Sequence, residues 1–377
     1  MRRILVCLTL AALTISAHAQ NEERGRIRDF GIEPGRFKPG PLNAITDVPG
    51  VRVGHVTLVE GDNVRTGVTA IVPHEGNVFR LKCPAAVYVG NGFGKLAGIT
   101  QIKELGNIES PVILTNTLSV AQGIEGVLTY TLSQKGNEDV GSVNAVVGET
   151  NDGYLNDIRG RHVKSSDVVE AIRRAKGGPV EEGCVGAGAG TVCFGWKGGI
   201  GTSSRVLPDD LGGFTVGVLV QSNYGGILEI DGIPVGRRLG QYSFKRNVEN
   251  PDYLLSPDGS CMMVVFTDAP LDARNLERLA KRAFMGMAKT GGIASNGSGD
   301  YVIAVSVNKG NLIDESQRFY RPTLLRNDDM SPLFEAAIEA TAEALWNSLF
   351  MAVDTKGRDG RVVPALPIRE VLEVMGK

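Results

Sequence analysis

Short apolar runs recur along most of the chain, each bounded by Gly, Pro, Asn or Asp and each of strand length. They fall at 51–59, 67–72, 86–89, 112–114, 144–148, 191–196, 214–221, 261–267 and 301–307. Between them, apolar residues return every three to four positions at 120–133, 167–176, 275–289, 332–353 and 368–375, the period of an α-helix. In 332–353, Phe334, Ala337, Ile338, Thr341, Leu345 and Leu349 share one face, with Ser331 as the expected cap and Pro332 in the first turn. Asp167 with Glu170 has the spacing of a capping box. Strands and helices do not alternate strictly, and several strands read as buried on both faces. That pattern predicts stacked sheets covered by helices rather than a doubly wound sheet. Neither an internal repeat nor a low-complexity tract interrupts it. The nearest thing to a linker is 247–258, which is largely polar, carries Pro251 and Pro257, and leads into Gly259-Ser260.

The first 19 residues follow another rule. Arg2 and Arg3 precede an apolar stretch from Ile4 to Ser16, and Ala17-His18-Ala19 closes it with a small-x-small pattern. This predicts a secretory signal peptide, cut after Ala19, and a periplasmic or secreted product. The apolar stretch is shorter than the roughly 20 residues a spanning helix needs, so no membrane anchor is expected. By length the remaining chain, 20–377, could hold two or three domains, and one large α/β unit is equally allowed. Its 377-residue parent is 42% hydrophobic with a net charge of −2, which gives no sign of a nucleic-acid partner or an anionic membrane surface. The 49 glycines, nearly twice the average usage of about 7%, point to many tight backbone approaches.

Familiar catalytic signatures are missing. There is no His-Glu-x-x-His and no Gly-x-Ser-x-Gly. The run Gly186 to Thr191, GAGAGT, lacks the dinucleotide spacing and precedes a strand rather than a helix, so it reads as close packing. Cys83, Cys184, Cys193 and Cys261 are too scattered for a zinc site; an oxidising compartment permits a Cys184–Cys193 bond, and free thiols are the preferred reading. His55, His74 and His162 sit in no recognisable catalytic context, although a Ser-His-Asp triad among them stays open. A base other than histidine is an α-amino group, whose pKa of about 7.7–8.0 suits neutral pH. An internal serine acquires one when the peptide bond before it is cut. Gly259-Ser260, between a loop and the apolar run 261–267, has the right form, though an ordinary turn before a strand has it too.

Longer stretches narrow the choice. From Ser260 onward, "SCMMVVFTDAPLDARNLERLAKRAFMGMAKTGG" and "SNGSGDYVIAVS" resemble the nucleophile region of the self-processing serine aminopeptidases. That family includes the L-aminopeptidase/D-Ala-esterase/amidases and the β-aminopeptidases. "GPLNAITDVPGVRVGHVTL", "RTGVTAIVP", "VVGETNDGYLND", "GPVEEGCVGAGAG", "KGGIGTSSR" and "VGVLVQSNYG" extend the likeness in order from about Arg26 to the C-terminus. The resemblance implies a four-layer α-β-β-α sandwich of the N-terminal-nucleophile-like type shared with ornithine acetyltransferases. It implies a single catalytic domain, 20–377, that cleaves itself into a large chain, 20–259, and a small chain, 260–377, assembly as a homotetramer of processed heterodimers, and no metal or other cofactor.

The resemblance also assigns roles. Ser260 matches the nucleophile, cut free of Gly259. Ser298 matches a serine that hydrogen-bonds near it, and Asp300 an acidic residue two positions on that orients Ser298 or holds the new amine. Asn223 matches the oxyanion-hole asparagine, Glu149 the group that grips the substrate ammonium, and Tyr154 a tyrosine near the nucleophile. Each has a blander alternative as a turn or strand-end residue. The implied reaction is release of N-terminal residues (L-residues, D-residue amides or β-amino acids) from small peptides, amides and esters through an acyl-enzyme. Asp300 and "GETNDGYLNDI" lie nearer the L-aminopeptidase/D-amidase members, while the signal peptide is similar to that of exported β-aminopeptidases. The alternatives are acyl transfer of the ornithine acetyltransferase kind, whose members have Thr after Ala where this chain has Ser after Gly, and a non-catalytic periplasmic binding protein.

Overall fold

A computed structural model describes residues 23–245 and 259–377. The expected signal peptide at 1–19 and the polar stretch 247–258 lie outside the described residues. In chain order the strands are β1 Arg52–Glu60, β2 Val64–Val72, β3 Leu81–Gly92, β4 Leu96–Ala97, β5 Asn107–Ile108, β6 Val112–Asn116, β7 Val146–Thr150, β8 Val192–Cys193, β9 Trp196–Lys197, β10 Ile200–Val206, β11 Thr215–Asn223, β12 Ser260–Thr267, β13 Gly299–Ser306, β14 Ile313–Asp314, β15 Thr355–Lys356 and β16 Val362–Val363. The helices are α1 Ile99–Leu105, α2 Val120–Leu132, α3 Ser165–Arg174, α4 Val235–Arg238, α5 Ala273–Lys289, α6 Ser331–Phe350 and α7 Ile368–Met375.

Two sheets stack face to face. One has the order β1-β2-β6-β7-β4, the other β10-β11-β12-β13-β3-β14, with β5 on the flank of β3. The apolar alternation expected of doubly covered strands is explicit in β12. Met262, Val264 and Phe266 pack with Val112, Leu114 and Val146 between the sheets. Cys261, Met263 and Val265 pack outward against Leu276, Ala280, Ala337 and Leu345 of α5 and α6. On the far side Val68, Ala70, Ile113 and Val147 meet Val127, Val168 and Ile172 of α2 and α3. The layers therefore run helix, sheet, sheet, helix, as the resemblance implies. Each layer boundary is a separate apolar cluster whose burial stabilises the stack.

Local readings differ in several places. The run 191–196 is not one strand; it is the two short arms β8 and β9, with Phe194 at φ 53° and Gly195 at φ 85° turning between them. The strand β10 escapes a hydrophobic scan because Gly201, Thr202, Ser203, Ser204 and Arg205 fill it; all are buried, and their side chains bond to the loop 40–47 and to α6. Ser331 does not cap α6. The helix begins at Ser331 itself after Met330, without a side-chain cap. Asp167 is the third residue of α3 rather than its cap; it accepts from the Lys164 amide at 2.8 Å, while Glu170 pairs with Arg174 at 2.8 Å.

The largest departure is in α6. A single apolar face was expected, yet Ala336 through Phe350 are buried almost all round, apart from Ile338, and Glu339, Glu343, Asn347 and Ser348 are among them. Arg205 makes this possible. Its guanidinium donates to Glu339 at 2.9 Å, Glu343 at 2.7 Å, Ser203 Oγ at 3.0 Å and the carbonyls of Ser204 and Pro34 at 2.7 and 3.0 Å. Burial alone drives the Glu343 carboxyl up, but Arg28 and Arg205 outweigh it and hold it below the usual carboxylate range. Removing one member of such a cluster leaves a buried, uncompensated charge, at a cost of about 3–5 kcal/mol. Arg205→Leu is therefore expected to lower the unfolding free energy by about that amount, measured by urea denaturation at neutral pH. A loss below about 1 kcal/mol would contradict the network.

Candidate active site

The nucleophile candidate stands where three strands end together. Ser260 opens β12, and its Cα partner on the antiparallel side is Asn223, the last residue of β11. On the parallel side Ser260 pairs with Gly299 and Cys261 with Asp300 at the start of β13. Alternation along β12 turns Ser260 the same way as Met262, toward the opposite sheet. There the end of β7 meets it. The Asn151 amide donates to Ser260 Oγ at 3.3 Å, and Asn223 Nδ2 donates to the same oxygen at 3.5 Å. Asn223 is itself oriented, because its Oδ1 accepts from the Val192 amide at 2.9 Å. Lys197 is buried behind this segment and ties it down with bonds from Nζ to the carbonyls of Gly188 at 2.8 Å and Gly198 at 2.7 Å.

Glycine before the serine has a spatial cause. A Cβ at 259 would lie 2.8 Å from Tyr224 Cα and 3.0 Å from the Asn223 carbonyl oxygen, so even alanine has no room. The requirement is close approach, since Gly259 is not among the residues at positive φ. The Gly259 carbonyl accepts from the Gly299 amide at 3.3 Å, which holds it beside β13.

Ser298 and Asp300 stand at the same sheet end but face the other way. Val302 and Ala304, in phase with Asp300, pack on the helix side together with Cys261 and Tyr224. Ser298 Oγ donates to Asp300 Oδ1 at 2.8 Å, so of the two expected tasks of Asp300 the geometry displays the orienting of Ser298. Burial pushes the Asp300 carboxyl up to about 6, against the opposing pull of the Ser298 hydroxyl and the Cys261 amide. Asn91 fastens the turn before Ser298 by donating to the carbonyls of Ser295 at 3.0 Å, Asn296 at 3.2 Å and Ser298 itself.

Ser260 lies at the floor of a cleft of about 790 Å³ lined by Phe93, Lys95, Thr117, Glu149, Asn151, Tyr154, Asn223, Tyr242 and Phe244 among others. Glu149 is no solvated strand-end carboxylate: it is only 3% exposed, at the end of β7. It accepts from the Lys95 amide at 3.0 Å and from the Thr117 hydroxyl. Tyr154 lines the cleft but is largely exposed, with the Arg361 guanidinium 5.0 Å over its ring. None of His55, His74 and His162 lines the cleft. His55 bonds Thr69 Oγ1 at 2.9 Å, and burial lowers it to about 4; His162 bonds Asp157 at 3.2 Å. The GAGAGT run is a packed turn: a Cβ on Gly186 would meet Thr69 Oγ1 at 2.4 Å, and one on Gly190 the Arg65 carbonyl oxygen at 2.1 Å. All four cysteines among the described residues are free, including Cys184 and Cys193.

Sequence reading missed Asn151, Thr117, Lys95 and Val192. Three of them contribute backbone amides, which carry no side-chain signature. Thr117 is recognisable only once β6 and β7 are known to be parallel neighbours, with Thr115 paired to Glu149.

Two donors converge on the serine that opens β12, and a buried acid lines the same cleft; this fits a serine-type aminopeptidase of the N-terminal-nucleophile fold. The chain belongs to peptidase family S58, whose profile it matches over residues 43–363. It is 40% identical over 377 residues to a protein named beta-peptidyl aminopeptidase BapA from Sphingosinicella microcystinivorans, covering 96% of this chain and 94% of that one. Among solved structures, a Burkholderia sp. beta-aminopeptidase superposes with a TM-score of 0.85 at 40% identity, covering 93% of this chain and 98% of its own. The L-aminopeptidase D-Ala-esterase/amidase of Ochrobactrum anthropi, described as a variant of the Ntn hydrolase fold, gives a TM-score of 0.83 at 34% identity, covering 93% and 99%.

The raised Asp300 carboxyl has a measurable consequence. The folded chain holds that proton up to about pH 6, whereas the unfolded chain loses it near 3.8. Fewer protons are then bound in the unfolded state, so stability falls as pH rises between these values and is level above them. Asp300→Asn removes this dependence. Relative to the variant, the wild type is expected to lose melting temperature between pH 4 and 6 and to show a constant difference from pH 7 to 8, read by thermal unfolding. A difference that does not change with pH would contradict the placement of Asp300.

Proposed function

We propose that this enzyme cleaves itself between Gly259 and Ser260 and then uses the freed Ser260 to remove N-terminal residues, β-amino acids among them, from short peptides and amides. The observation that carries the proposal is the convergence of Asn151 N and Asn223 Nδ2 on Ser260 Oγ, in the cleft that the buried Glu149 also lines. The 40% identity to a beta-peptidyl aminopeptidase supports the β preference.

In the first reaction Ser260 Oγ attacks the Gly259 carbonyl. The C–N bond breaks, the acyl group moves to oxygen as an ester, and water hydrolyses that ester. The product is a free α-amine on Ser260, a base suited to neutral pH and tethered beside its own hydroxyl. In the second reaction the substrate ammonium binds Glu149, whose buried carboxylate accepts a charge-assisted hydrogen bond from it. Ser260 Oγ attacks the scissile carbonyl, its proton passing by way of the α-amine to the leaving amine. Asn223 holds the oxyanion, a contribution of about 3–4 kcal/mol in comparable hydrolases. Water then frees the acyl group. Ser298 and Asp300 steady the strand end from the opposite face. Tyr154, exposed on the cleft wall, serves substrate contact rather than proton transfer.

The proposal extends to export after cleavage at Ala19 and to a homotetramer of processed chains, both resting on the sequence features and likeness already given. Purified protein is expected to separate on denaturing electrophoresis into two fragments, the smaller with the N-terminal sequence Ser-Cys-Met-Met. Ser260→Ala is expected to remain one chain and to release no product from aminoacyl anilides. Asn223→Ala is expected to lower kcat by about 10²–10³-fold. A wild-type chain that stays whole while cleaving peptides would sink the mechanism.

A further inference from the structure

The ammonium site has a cation already beside it. Lys95 Nζ lies 4.0 Å from Glu149 Oε1, beyond hydrogen-bonding distance, and its side chain is 57% exposed in the cleft that holds Ser260. The turn before it is closely packed. A Cβ on Gly94 would lie 3.1 Å from Gly299 Cα and 3.2 Å from Glu149 Oε1, and the Phe93 amide is bonded to the Ser298 carbonyl at 3.2 Å. Lys95 is thus presented to the cleft by a packed backbone, its amide on Glu149 and its ammonium alongside.

For a substrate that brings only an ammonium, this arrangement is a handicap, because the incoming charge meets Lys95 as a like charge. A substrate that carries an ammonium and a carboxylate on one carbon turns the handicap into a match. Standard bond lengths place those two groups roughly 3 Å apart, close to the spacing of Lys95 from Glu149. The four charges then alternate in sign. Among N-terminal residues, an aspartyl residue linked through its β-carboxyl has this form. Its α-carboxylate shares a carbon with the ammonium, and its scissile carbonyl is one methylene away, as in a β-alanyl residue.

We propose that Glu149 and Lys95 form a two-charge clamp for N-terminal β-aspartyl peptides, with Lys95 taking the α-carboxylate as a specificity-determining residue. The proposal rests on the aminopeptidase reading above. The step is unchanged in kind: Ser260 Oγ bonds to the β-carbonyl carbon, the amide C–N bond breaks, and the proton goes to the leaving amine. Water hydrolyses the ester to free aspartic acid and Ser260.

The test compares β-Asp-Leu with β-Ala-Leu, which differ only by the α-carboxylate, on the processed wild type, Lys95→Met and Lys95→Arg. Wild type is expected to hydrolyse both. In Lys95→Met the KM for β-Asp-Leu rises at least tenfold, while that for β-Ala-Leu falls, because Glu149 loses its competing cation. Lys95→Arg restores β-Asp-Leu hydrolysis. A merely structural role for Lys95 would move both KM values the same way, and that result overturns the clamp, as does a wild type that cleaves β-Ala-Leu but not β-Asp-Leu. A wild type that cleaves neither, or that releases only L-alanine from L-alanyl anilides, overturns the clamp and the β-residue reading together.

Discussion

The register of one strand governs the whole cleft. β12 lies between β11 and β13, and each of its side chains is buried on one face or the other. A slip of one residue would exchange Met262, Val264 and Phe266 with Cys261, Met263 and Val265, sending every side chain into the wrong layer. Both cores therefore hold the strand in phase. That phase points Ser260 at β7 of the facing sheet, places Asn223 beside it and leaves Asp300 on the other side. The apolar clusters are far larger than the site, yet they set its geometry to within a hydrogen bond.

The same constraint accounts for the buried polar groups nearby. A strand end inside a four-layer stack leaves amides and carbonyls with no water to satisfy them. Here those groups are used. Asn151 N meets the serine, Val192 N orients Asn223, Gly299 N holds the Gly259 carbonyl and Lys95 N holds Glu149. Most of the polar framework is thus main chain, which explains the concentration of glycines around it. Gly94, Gly259 and Gly299 each stand where a Cβ would strike backbone at about 3 Å.

That reliance on backbone also sets what sequence reading can reach. The apolar period located α2, α5 and α7 and the strands β1, β2, β11, β12 and β13 to within a few residues, because burial on one or two faces leaves a periodic trace. It failed at β10, where hydroxyls and Arg205 replace apolar residues, and it drew α6 as one-sided because ion pairs with Arg28 and Arg205 permit a helix buried nearly all round from Ala336 on, with Glu339 and Glu343 inside. Ser260, Asn223 and Glu149 were reached through motif likeness, and the structure gathers them at one cleft. The opposite facing of Ser298 and Asp300 was hidden, since spacing in a sequence does not reveal the pleat at a strand end. Asn151, Val192 and Lys95 were hidden for a different reason, since they act there through amides that every residue possesses.

The central claim is that one serine is both the new chain start and the acylated atom. The direct measurement is mass spectrometry of the enzyme quenched during turnover of a slowly hydrolysed β-alanyl ester. The account predicts a β-alanyl adduct on the peptide that begins at Ser260, attached through Oγ to a residue with a free α-amine. An adduct on any other residue, or on a Ser260 still joined to Gly259, would contradict it.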